Sequence, residues 1–409
     1  MRHHEPPTSG RPTSAERSIP RYLQEFLKSY LYRLHGGKIS DPLLEVVALS
    51  GIQEPYTRRR KQLSLSDELE GRFLRILDPM VSALIRFQGA LYHTDVFFES
   101  GRPDLVEYFV FAVGDGDETS RAGQLLDHLL KQAVQTSPYR NAMLLATSER
   151  LHGSAVGLYP LAPGKDRLED VFLPETILGE IRLFIRALEQ YDRLRTPLRY
   201  LFSGKPGTGK TKIIRAVAAA CADKATFLFA NGSEENVDEL FEIAGMFCPV
   251  VLCIDDIDMM TGSRQEGLFT SRLATFLQKL DGFARAGEFL LASTNDRTLV
   301  DLAASRPGRF DRVIDVEVVR PADFIRLVES KTGNDAVRAL FDQDVLAVLR
   351  RKGVTGAFIA NLTKHLELVA ELQPECLTQE YVLGAVDRWL KGFGSEKRVA
   401  NDDIGFRAA

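Results

Sequence analysis

Residues 204–211 read Gly-Lys-Pro-Gly-Thr-Gly-Lys-Thr, and no other stretch of the 409-residue chain restricts its fold as strongly. The pattern G-x-x-x-x-G-K-T sits between a short apolar strand, Tyr200–Ser203, and a helix expected from about Gly209 to Ala222. Glycines let backbone N–H groups turn inward around phosphate oxygens, and the helix N-terminus adds partial positive charge. Lys210 is placed to reach phosphate as a point charge, and Thr211 to offer its hydroxyl to a divalent cation. The phosphate-binding set is therefore Gly204, Pro206, Gly207, Thr208, Gly209, Lys210 and Thr211.

A second stretch completes the chemistry. Residues 250–258 read VVLCIDDID, an apolar strand that ends in paired acids. Asp255 is the natural partner for Mg²⁺, together with Thr211. Asp256 is positioned to orient and polarise an attacking water. Aspartate is one methylene shorter than glutamate, so its carboxylate falls roughly 1–1.5 Å short unless the backbone or water moves, and about 1 Å can cost on the order of 10²-fold in rate.

The rest of the chain sorts around this centre. Residues 1–20 are rich in Pro, Ser and Arg and read as a disordered tail. Residues 21–93 read as helical, with Tyr22, Leu23, Phe26, Leu27, Tyr30, Leu31 and Leu34 on one apolar face. The segments VEYFVFAV and NAMLLATS read as strands around a helix near Ala122–Ala133. Residues 21–165 thus form an expected α+β N-terminal domain, ending in the linker 161–165. Residues 166–320 alternate strand and helix, which predicts a parallel sheet flanked by helices. Residues 321–391 read as an all-helical lid, and residues 392–409 as a C-terminal tail.

Composition removes several alternatives. A formal net charge of −4 argues against a dedicated nucleic-acid binder. The four cysteines have neither metal-ligand nor disulfide-framework spacing, as expected of thiols in a reducing cytoplasm. No apolar run approaches a membrane span, and the N-terminus has no signal-peptide core.

The motifs together carry a family likeness. GKPGTGKT, CIDDID, LDGF (280–283), LLASTN (290–295), SRPGRFDR (305–312) and GVTGAFIANL (353–362) follow one another in order. In these, residues 166–390 resemble the AAA+ ATPases and, within them, the classical AAA clade of protein-remodelling machines. The resemblance implies a P-loop NTPase fold, with ATP and Mg²⁺ as ligands. It also implies that Asn295 is the polar sensor beside the γ-phosphate. Arg306 and Arg309 become a pair of arginine fingers that reach the neighbouring subunit's nucleotide. Gly356 and Ala357 become the lid-helix start near the base, and the Asp170-Val171 pair lines the adenine pocket. Fingers acting in trans imply a closed head-to-tail ring, and the family norm is a hexamer.

Three departures qualify the likeness. Asp256 stands where the family usually has glutamate, and Lys205 where proline is common. The stretch 231–235 is short, acidic and free of aromatics where ring unfoldases carry a substrate-gripping loop, a shortness that is similar to the Bcs1-like branch. Three functions are therefore expected in descending order. The first is an ATP-driven ring that remodels a protein partner selected by the N-terminal domain. The second is a slowly hydrolysing nucleotide-dependent scaffold or switch. The third is a DNA-acting relative.

Overall fold

The computed structural model describes residues 13–19, 21–50, 81–102, 105–114, 119–149, 155–162, 164, 166–232, 237–261, 270–282, 288–296 and 308–395. Two sheets organise them. The first is antiparallel, in the order β1-β5-β4-β3-β2, from β1 (Thr13–Ile19), β2 (Leu44–Ser50), β3 (Val81–Phe87), β4 (Ala90–Arg102) and β5 (Leu105–Gly114). Helices α1 (Arg21–His35) and α2 (Thr119–Gln135) pack against it.

The second sheet runs β12-β8-β11-β10-β9-β6-β7. Its strands are β6 (Met143–Glu149), β7 (Ala155–Leu161), β8 (Arg199–Ser203), β9 (Thr226–Asn231), β10 (Val250–Asp255), β11 (Glu288–Thr294) and β12 (Arg312–Asp315). All neighbours pair in parallel except β6 with β7. Every residue of β8 and β11 is buried, which is why their centres, Tyr200–Phe202 and Phe289–Ala292, read as continuous apolar runs rather than as alternating ones. Helices α3 (Glu175–Glu189), α4 (Tyr191–Leu194), α5 (Lys210–Ala220), α6 (Val237–Met246) and α7 (Thr270–Gly282) belong to this layer.

From Pro321 the described chain is helical: α8 (Phe324–Glu329), α9 (Asp335–Ala339), α10 (Gln343–Lys352), α11 (Gly356–Leu372) and α12 (Gln379–Ser395). They enclose a separate core that includes Phe324, Val337, Phe341, Leu349, Phe358 and Leu362. Local signals set their ends. Asp342 accepts from the backbone N–H of Asp344 and Val345, and Thr355 from Phe358. Gly353 closes α10 in the left-handed conformation.

Four expectations need correction. The supposed tail contains β1, which pairs antiparallel with β5 from Thr13↔Gly114 to Ile19↔Tyr108; residues 1–12 lie outside the described set. The supposed helical stretch 21–93 is helical only in α1 and then turns to strands. Val81, Ala83, Ile85 and Phe87 are buried at period two, the alternation of a one-faced strand. The N-terminal boundary at 165 does not separate two bodies, because β6 joins the parallel sheet by pairing Met143↔Phe227 through Leu145↔Phe229. Finally, α12 carries the chain in helix to Ser395, inside the expected tail, and residues 396–409 lie outside the described set.

The apolar face of α1 explains why the two sheets hold together. Tyr22, Leu23, Phe26, Leu27, Tyr30 and Leu31 are all buried in a core shared with Leu228, Leu240, Leu252 and Leu290 of the parallel-sheet layer. The Phe26 ring lies 5.1 Å from that of Tyr139, tilted, and 5.6 Å from that of Phe247, edge-on, centroid to centroid. The stripe is interior, not a free docking face.

Candidate functional site

The loop between β8 and α5 forms the floor of a cleft of about 440 Å³. Its lining includes Asp170, Val171, Gly207, Thr208, Gly209, Lys210, Thr211, Asp256, Asn295, Gly356 and Ala357. Gly207 has φ 78°, and a Cβ there would lie 2.9 Å from Thr355 Oγ1 and 3.1 Å from Ala357 Cβ. The lid rests directly on this glycine, because the Ala357 N–H donates to the Gly207 carbonyl at 3.1 Å. The first turn of α11 thereby closes one side of the cleft over the phosphate loop.

Lys210 is buried, and its ammonium donates to Gly204 O at 2.8 Å, Lys205 O at 3.0 Å and Asn295 Oδ1 at 2.7 Å. Burial pushes its pKa down, while Asp256, Asp255 and Asp258 push it back up. A buried cation held by neutral oxygens favours an incoming anion. The amides of the loop and the N-terminus of α5 favour the same thing. The cleft volume lies in the range of small-molecule sites. The residues present fit the triphosphate of a nucleotide.

The two halves of the acid pair do different things. Thr211 Oγ1 donates to Asp255 Oδ2 at 2.7 Å, so a hydroxyl and a carboxylate oxygen meet at the cleft floor, the hard donor set that suits Mg²⁺. Asp256 accepts from Asn295 Nδ2 at 2.8 Å. Burial raises the Asp256 pKa, helped by Asp255 and Asp258 and opposed by Asn295 and Lys210. Lys210, Asn295 and Asp256 thus form one hydrogen-bonded chain across the cleft.

Two residues to which the sequence motifs assign no role join them. Asp258 accepts from the Asn295 N–H at 3.0 Å and from Thr294 Oγ1 at 3.1 Å, which fixes the end of β11. Ser293 donates to Asp255 Oδ1 and accepts from the Asp256 N–H at 2.9 Å. The third acid of CIDDID and the serine of LLASTN were the available signals, but strand adjacency is not written in either motif.

The residues expected near the base also line the cleft. Val171 and Asp170 line the cleft beside Gly356 and Ala357, and Lys212 Nζ donates to Asp170 O at 2.6 Å.

The arginines stand elsewhere. Arg309 is buried and paired bidentately with Asp281, Nε to Oδ1 at 2.9 Å and Nη2 to Oδ2 at 3.0 Å. The hydrogen bonds to Asp281 raise its already high pKa. Its segment is tied to the start of β8: Arg199 Nη1 donates to Gly308 O at 2.7 Å, and the Asp311 N–H to Arg199 O at 2.8 Å. The phosphate loop leaves the other end of β8, five residues away, or about 3.3 Å per residue along a strand. Arg309 is not brought to the cleft of its own chain. Arg306 and residues 233–235 lie outside the described set.

Among the described residues no His, Cys, Asp and Glu cluster is suited to another metal, and no helix is long and apolar enough to cross a membrane.

Comparison with known proteins agrees with the cleft. Residues 200–318 match the model of the ATPase family associated with various cellular activities (AAA). The ATP-dependent zinc metalloprotease FtsH 2 of Sphaerobacter thermophilus is 31% identical over 256 residues, covering 57% of this chain and 39% of the relative. The FtsH of Acaryochloris marina is 33% identical over 251 residues, covering 56% and 38%. The chloroplastic FTSH 1 of Oryza sativa subsp. japonica is 29% identical over 244 residues, covering 55% and 35%. The chain spans under two fifths of the length of these relatives.

Proposed function

Because the chain belongs to the AAA+ ATPases, in the classical AAA clade, we propose that it is a Mg²⁺-dependent ATP hydrolase that works as a closed ring, a hexamer, on a protein partner. One observation carries this reading: Lys210, Asn295 and Asp256 are linked across the same cleft in which Thr211 meets Asp255.

The proposed roles build on that geometry and on the resemblance. The loop amides and Lys210 bind the β- and γ-phosphates. Thr211 and Asp255 would hold Mg²⁺, which when bound would neutralise charge on the phosphate oxygens. Asp256 accepts the proton of the attacking water, and Asn295 holds both that carboxylate and the lysine in place. Arg309 serves the cleft of a neighbouring subunit, where a guanidinium stabilises the charge that develops in the transition state. Arg306, the first arginine of SRPGRFDR, is assigned the same role by the resemblance. Because the N-terminal sheet shares its core with the ATPase sheet, it would present the protein partner as a rigid part of the motor.

A second reading rests on the Arg309–Asp281 pair. A subunit whose arginine is held by its own aspartate binds ATP without completing a neighbour's site, so the assembly acts as a slow nucleotide-dependent scaffold or switch.

Steady-state ATP hydrolysis against protein concentration separates the two, with wild type, Asp256→Asn and Arg309→Ala side by side. The ring motor predicts a rate per subunit that rises with concentration and collapses in both variants. Tight ATP binding with turnover no higher than in Asp256→Asn would favour the switch.

A further inference from the structure

Ser293 has no part in the roles above, yet its hydroxyl touches both acids. It is the penultimate residue of β11 and is fully buried. A hydroxyl has one proton to give and lone pairs to accept with, and this one uses both: it donates to Asp255 Oδ1 and accepts from the Asp256 N–H at 2.9 Å. The first bond leaves Asp255 Oδ2 turned to Thr211, at 2.7 Å.

The second bond falls on an unusual backbone. Asp256 has φ 54°, in the left-handed region that side chains other than glycine avoid and that Asp and Asn tolerate best. The turn is held from several sides. Gly232 N–H donates to Asp255 O at 2.7 Å, and Met259 N–H to Asp256 O at 2.9 Å. At Gly232 a Cβ would lie 2.0 Å from Asp256 O, so only glycine admits the approach. The left-handed turn is what places the Asp256 carboxylate on Asn295 Nδ2 at 2.8 Å.

We propose that Ser293 is a positioning residue for both acids: its hydroxyl sets the Asp255 carboxylate for Mg²⁺ and locks the left-handed turn that aims Asp256, so that aspartate is the acid this site is built around. The backbone, rather than a longer side chain, makes up the missing methylene. The inference rests on the reading of the cleft as a MgATP site.

Threonine and valine at position 293 differ only in the hydroxyl, so Ser293→Thr against Ser293→Val isolates it. Two readouts are needed: kcat for ATP, and the gain in affinity for a fluorescent ATP analogue when Mg²⁺ is added. Ser293→Val and Ser293→Ala are expected to lose kcat by about 10–100-fold, the scale of a misplacement of about 1 Å. They also lose most of the Mg²⁺-dependent gain, while metal-free affinity stays at the wild-type level. Ser293→Thr keeps both. Asp256→Glu, with the longer acid in a left-handed turn, turns over no faster than wild type.

The proposal is overturned if Ser293→Val matches Ser293→Thr in both readouts, or if Asp256→Glu outruns wild type. Should the branched side chains prevent folding, Ser293→Ala against wild type answers the same question, since it only removes the oxygen. A wild type that does not hydrolyse ATP sinks the functional reading, and the Mg²⁺-dependent affinity then still decides what Ser293 does.

Discussion

At the C-terminal end of β8, one chain by itself joins Lys210, Asn295, Asp256, Thr211 and Asp255 through hydrogen bonds of 2.7–2.8 Å. At the N-terminal end of the same strand, Arg309 spends its guanidinium on Asp281. The first region is held together by bonds within one chain. The second is arranged around a carboxylate of its own chain, although a phosphate accepts the same planar fork. Binding is thus a property of the subunit, and the proposed catalysis a property of the contact between subunits.

The largest expected effect tests the arginine end. Arg309→Ala should lower kcat by roughly 10³-fold or more, as loss of a trans-acting arginine does in other NTPases, with ATP affinity unchanged in the same titration. A loss of affinity equal to the loss of rate would place Arg309 in its own cleft and break the comparison. Next comes the acid: Asp256→Asn keeps the left-handed turn and should cost about 10²–10⁴-fold in kcat. Mixing Asp256→Asn with Arg309→Ala sharpens the contrast, because interfaces that combine an intact acid with an intact arginine should restore part of the turnover. No recovery at any mixing ratio would argue for sites completed within one chain.

Smaller effects follow. Asp281→Asn weakens a charge-assisted pair and should destabilise the fold by about 1–3 kcal/mol, read as a lower denaturant midpoint, while lowering the protein concentration at which turnover saturates. An unchanged concentration dependence would mean that Asp281 does not restrain Arg309. The least change is expected from Thr355→Ala, which strips the N-cap of α11, where the lid meets Gly207. It should cost about 1 kcal/mol and raise KM for ATP with little effect on kcat.

Legibility varied with the range of the interactions involved. The phosphate loop, the acid pair and the β8–β12 strands stood out because their signals are local: glycines at a turn, a hydroxyl after a lysine, apolar runs bounded by turn residues. The lid was equally plain, since caps such as Asp342 and Thr355 and the stop at Gly353 act within a few residues. The N-terminal region was harder. An apolar stripe on α1 declared a buried face but not what would cover it, β1 became a strand through a partner about 95 residues away, and β6, legible as a strand, joined the nucleotide sheet through a partner 84 residues away.

The sequence by itself determined that a parallel sheet would carry the G-x-x-x-x-G-K-T loop, and which lysine, threonine and aspartates would stand at the ends of its strands. Lys210 and Thr211 are consecutive, as are Asp255 and Asp256, and each pair sits at or just beyond the end of a strand that its own segment specifies. Tertiary structure alone decided that β6 would extend the nucleotide sheet into the N-terminal region, that Asp281 would hold Arg309, and that Ser293 would stand between Asp255 and Asp256. Each of these is a contact between segments distant in sequence. Its formation depends on strand order and register, which are set when the whole core closes and not by any one segment's pattern.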